Sequence, residues 1–78
     1  MDRILLLDEN KGVYIPQQFA RMYYKDVTGI DLSILQKLDI DHVDYWEAWE
    51  DVLQHAMITI DGHQYTLEQD GDLWAVPI

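Results

Sequence analysis

Carboxylates are the residues of this 78-residue chain with the most capacity for chemistry, and their distribution is lopsided. From Leu38 to Ile78 stand Asp39, Asp41, Asp44, Glu47, Glu50, Asp51, Asp61, Glu68, Asp70 and Asp72, with neither Lys nor Arg among them. The five bases, Arg3, Lys11, Arg21, Lys25 and Lys37, share the first 37 residues with five acids, so that segment is neutral. The whole formal charge of −10 therefore resides in the second half. Carboxylates at this density serve three kinds of chemistry: charge-assisted hydrogen bonds to a partner's Lys and Arg, metal coordination, and general acid–base catalysis.

The first use fits the pattern best. An acidic half repels nucleic-acid phosphates and anionic membrane surfaces. It attracts basic protein surfaces, above all the positive grooves of proteins that themselves bind nucleic acid. A solvated surface kept for solubility is the plain competing reading. Metal coordination fits less well. Asp39, Asp41 and Glu50 match positions one, three and twelve of an EF-hand loop, but Val43 replaces the ligand at position five and Asp44 the glycine at position six. His42, His55 and His63 lack two-ligand helical spacing, and there is no cysteine to accompany them, so no metal and no cofactor are expected. Ser33 is the only serine and has no nucleophile elbow, and the four glycines form no phosphate loop, so the reading is of a non-enzymatic protein.

These acids need elements to hold them. Pro16 opens a helix expected over about 16–25, with Phe19, Met22 and Tyr23 at helical spacing and the residue before the proline biased to an extended shape. A second short helix is expected over about 31–38, capped by Asp31, with Leu32, Leu35 and Ile34 turned inward. A third, over about 42–56 and capped by Asp41, gathers Tyr45, Trp46, Trp49, Val52 and Leu53 on one broad face. Asp44, Glu47 and Asp51 gather on another, with Glu50 at its margin. Ile4–Leu7 is compatible with either a strand or a helix start.

The last third reads as a three-stranded antiparallel β-meander over about 57–76, punctuated by Asp61-Gly62 and Asp70-Gly71. If both are two-residue turns, Ile58 faces Tyr65, Ile60 faces His63, Tyr65 faces Val76 and Leu67 faces Trp74. Those residues then line one buried side, with Leu73 and Ala75 on the other. The expected architecture is α+β, a single compact domain over residues 1–78 with about three short helices on one face of the sheet. Trp49 and Trp74 read as core, while Tyr24 and Trp46 are candidate aromatic contacts for a partner. No stretch is long and apolar enough to span a bilayer, and Asp2 stands where an export signal would carry positive charge, so a cytoplasmic setting is expected.

The segments Asp8 to Ala20, Asp44-Tyr45-Trp46-Glu47-Ala48-Trp49 and Gln69-Asp70-Gly71-Asp72-Leu73-Trp74 resemble small, largely uncharacterised acidic proteins of bacteria, phages and mobile elements. In size and acidity the chain is also similar in type to anti-CRISPR proteins, some of which imitate DNA with surface carboxylates. That likeness implies an inhibitor of a basic nucleic-acid-binding complex, such as a CRISPR surveillance complex, working in the cytoplasm of a bacterial host. The partner-binding residues expected on this reading are Asp39, Asp41, Asp44, Glu47, Glu50 and Asp51, with Glu68, Asp70 and Asp72 as a second patch. The alternative is an acidic interaction or assembly module that binds through an aromatic and aliphatic patch.

Overall fold

The computed structural model describes residues 2–11 and 15–78. Its class is α+β: one antiparallel sheet of five strands, with three helices. The strands are β1 (Ile4–Leu7), β2 (Val27–Thr28), β3 (Met57–Ile60), β4 (His63–Asp70) and β5 (Asp72–Pro77), in the order β1-β5-β4-β3-β2. The helices are α1 (Ile15–Tyr23), α2 (Ser33–Lys37) and α3 (Tyr45–His55).

The meander is there, but it carries an extra strand on each edge. β1 joins β5 through Ile4↔Ala75, Leu5↔Trp74 and Leu7↔Leu73, with an irregularity between Leu5 and Leu7. β2 is a two-residue strand laid against β3, reinforced where the Thr59 amide donates to the Asp26 carbonyl at 3.1 Å. Two residues carry no period, which is why composition gives no hint of it. At its end Gly29 has φ 91°, and a Cβ there would lie 2.8 Å from the His55 carbonyl oxygen, so only glycine fits this close approach to the C-terminus of α3.

The two Asp-Gly turns are not equivalent. At Asp61-Gly62 both residues have positive φ (50° and 81°), and Ile60 pairs with His63, as a two-residue hairpin requires. At the second turn Asp70 pairs with Asp72, leaving only Gly71 between them. The β4–β5 register is therefore displaced by one residue: Tyr65 faces Pro77, Thr66 faces Val76, Leu67 faces Ala75 and Glu68 faces Trp74. Because side chains alternate, that displacement turns β5 over. Leu73 and Ala75 are completely buried, and Trp74 points away from the core with its ring half-buried. The expected inward Trp74 and outward Leu73 and Ala75 are thus reversed. Small and aliphatic side chains from β5 meet a helix layer that already supplies Phe19, Tyr45 and Trp49.

Helix ends also move. Ile15 is the first residue of α1 rather than extended, and Pro16 occupies the first turn, where its missing N–H is no loss. Gly12, Val13 and Tyr14, within the Asp8 to Ala20 segment, lie outside the described residues. α2 begins at Ser33 with Leu32 at the cap; Asp31 instead accepts the Ser33 amide at 2.9 Å, a local turn that uses up the side chain one residue early. Ile34 points outward and Leu35 inward. α3 starts at Tyr45, since residues 39–44 form two successive turns (His42 amide to Asp39 carbonyl, 2.9 Å; Tyr45 amide to His42 carbonyl, 3.0 Å). Asp44, not Asp41, holds its cap position and makes no side-chain capping bond.

The helices are fixed by polar ties as well as by burial. The Gln36 amide donates to the Ala20 carbonyl at 2.9 Å and the Gln17 amide to the Leu38 carbonyl at 3.0 Å. The Gln17 backbone N–H donates to the Tyr45 hydroxyl at 3.2 Å. The Trp49 indole donates to Gln69 Oε1 at 2.7 Å, which sets the rotation of α3 over β4. Phe19 meets Trp49 edge-on at 5.7 Å between ring centres.

Candidate functional site

The rotation of α3 decides which of its side chains face water. Tyr45, Trp49 and Val52 are buried against the sheet, so Trp46, Glu47, Glu50 and Asp51 are exposed. Asp44 and Glu47 are three residues apart and Glu47 and Asp51 four, which brings neighbouring Cβ atoms to about 5–6 Å on one helix face. Asp39 and Asp41 stand exposed in the turns that lead into the helix. Among the described residues none of these six carboxylates forms an ion pair with Lys or Arg; Asp44 has only His42, whose Nδ1 is 4.0 Å from Oδ2 and accepts the Asp44 amide at 3.1 Å.

Two apolar side chains stand in this acidic region. Val43 is 82% exposed and Trp46 50%, the Trp46 ring meeting that of Tyr45 edge-on at 5.0 Å. Val43 is not among the expected contacts; a lone valine between His42 and Asp44 gives no periodic signal. Of the two adjacent aromatic residues at the start of α3, Tyr45 is core and Trp46 surface. Tyr24 is also exposed, but it follows α1 and its ring holds the Lys25 ammonium 5.7 Å from the centre, a different chemical setting.

The second expected patch differs. Arg3 donates to Asp70 Oδ2 at 3.0 Å and to Glu68 Oε2 at 3.5 Å, while its guanidinium lies 3.9 Å above the centre of the Trp74 ring. The outward face of Trp74 is thus a platform for the base. Asp72 Oδ1 accepts the Glu9 amide at 2.9 Å. These three acids are engaged within the fold.

No family model, curated protein or solved structure matches this chain.

Other chemistry finds less to work with. Among the described residues no three His, Cys, Asp or Glu side chains are grouped so as to hold a metal ion, and no polar or charged side chain is buried. A cavity of about 360 Å³ beside β1 is lined by Tyr23, Asp26, Thr59 and Asp61 together with aliphatic side chains, but both its carboxylates are exposed. The Tyr23 hydroxyl donates to the Leu6 carbonyl at 3.3 Å, and burial, then the nearby Asp26 charge, push its pKa above the ordinary 10.0. Among the described residues no helix is long and apolar enough to cross a membrane.

Proposed function

We propose that this chain is a non-enzymatic inhibitor that sets the carboxylates of α3 and its approach against a basic, nucleic-acid-binding protein surface, in place of the phosphates that surface would hold. The carrying observation is the row Asp44, Glu47 and Asp51, with Glu50, Asp39 and Asp41 around it, exposed and without a Lys or Arg partner among the described residues. Unpaired carboxylates on a rigid helix retain their field for a partner, and their spacing is comparable with that of phosphates along a strand. A CRISPR surveillance complex is the target class suggested by the likeness in type, with the bacterial cytoplasm as the place of action; neither nucleic acid nor membrane is a direct partner.

Capture of purified surveillance complexes over a salt series, with target DNA as competitor, tests this reading. Salt-sensitive capture that excludes DNA supports it, and no capture at any salt concentration rejects that target class. The exposure of Val43 and Trp46 favours a second reading, an assembly module that binds through apolar contact. It predicts capture that is indifferent to salt and lost on Trp46→Ala.

A further inference from the structure

The acidic face of α3 borders a cleft that the core leaves open. α2 has only five residues, and the α3 side chains that line the space beside it are Ala48, Asp51 and Val52. The result is a cavity of about 210 Å³ between the two helices. Leu35 and Val52, both buried, form its floor, and Ile34, 54% exposed, forms one wall. Two carboxylates stand at its mouth: Asp51 from the α3 row and Asp31 from the approach to α2. Asp31 is held in its ionised form, its carboxyl shifted below the ordinary 3.8 first by the hydrogen bonds from Ser33, with a smaller contribution from the charge of Lys37. An apolar floor between two acids is complementary to an aliphatic side chain flanked by bases.

We propose that this cleft receives an aliphatic side chain from a basic amphipathic segment of the partner, with Lys or Arg on either side of it reaching Asp51 and Asp31. This rests on the reading of α3 as the partner-binding face and adds the partner's chemistry: a basic surface with an aliphatic knob, not charge alone. An aliphatic side chain seated in a pocket adds the gain of its burial to the attraction between the flanking charges.

Two synthetic peptides test it: a short helical peptide with Leu on one face and Lys on the other, and the same peptide with every Leu replaced by Ala. The Leu peptide is expected to bind at least about tenfold more tightly, the return on burying one aliphatic side chain, and to shift the methyl resonances of Ile34, Ala48 and Val52. Ala48→Leu fills the cleft and should remove that advantage while leaving the Ala peptide's salt-sensitive binding intact. Ile34→Ala, at an exposed position that the fold tolerates, should reduce the advantage as well. Equal affinity for the two peptides, or an advantage that survives both substitutions, overturns the proposal. If the Ala peptide still binds and is released by Glu47→Lys with Asp51→Lys, only the cleft is wrong. If neither peptide binds, the acidic-face reading falls with it.

Discussion

Two ends of the molecule carry acids of the same kind and use them differently. At the cap and along the face of α3, Asp44, Glu47 and Asp51 face water with no Lys or Arg partner among the described residues, whereas Glu68 and Asp70 at the β4–β5 end share Arg3, itself seated on Trp74. The difference lies not in the acids but in what the fold brings to them. β1 pairs with β5 and delivers a base to the sheet end, while none is delivered to α3 among the described residues. Net charge counts both sets equally, yet only the sheet-end set is paired with a base among the described residues.

Charge reversal should separate the two ends most sharply. Glu47→Lys with Asp51→Lys should weaken binding to the basic partner by about a hundredfold or more, since like charges then face each other. Stability should stay within about 0.5 kcal/mol, as is usual for surface substitutions. Glu68→Lys with Asp70→Lys should do the opposite, sparing binding and lowering the urea midpoint. Equal losses of binding from the two pairs would erase the distinction.

The contrast also depends on the β5 register that turns Trp74 toward Arg3. Leu73→Ala, in the core, should cost about 2–5 kcal/mol in urea denaturation. Trp74→Ala should cost less despite its larger side chain; a larger loss at Trp74 would mean that β5 presents its other side to the helices. A smaller effect is expected of Arg3→Ala, about 1 kcal/mol, because an exposed cation–π contact and exposed ion pairs are each weak. The same change should give the sheet end a new, salt-sensitive attraction for the Ala–Lys peptide.

The smallest effect concerns Asp31. Its folded carboxyl titrates below the ordinary 3.8, so its contribution to stability is present above that pH and is lost as pH falls through the folded value. Asp31→Asn should therefore lower stability slightly at neutral pH and flatten the profile just below pH 3.8, so that the two chains converge in acid. An unaltered acid limb would show that the Ser33 hydrogen bonds do not favour the ionised form.

How far the sequence could be read depended on the range of the forces involved. Asp61-Gly62 set its hairpin correctly because local φ preferences suffice there, and the exposure of Asp44, Glu47 and Asp51 followed from helical period alone. Asp70-Gly71 is the same dipeptide, yet it closes around one residue instead of two, and with it the sides of Leu73, Trp74 and Ala75 were exchanged. There the choice rests with packing: which of two alternating sets fits beneath the helices. β2 is too short to show a pattern, and helix starts shifted where Asp31 and the turns at 39–44 satisfied backbone groups locally. At the sheet end, the pairing of Arg3 with acids some 65 residues away depended on β1 joining β5, and the α2–α3 cleft depended on how closely two helices approach. Neither distance is written in the order of residues.

The central claim is that the unpaired carboxylates of α3 hold the partner by charge. Its most direct test is the salt dependence of affinity for a surveillance complex, measured side by side for the native chain and the Glu47→Lys, Asp51→Lys variant. The account predicts an affinity that falls steeply with salt for the native chain and a weak, nearly flat dependence for the variant. Tight binding by both, with the same dependence on salt, would contradict it.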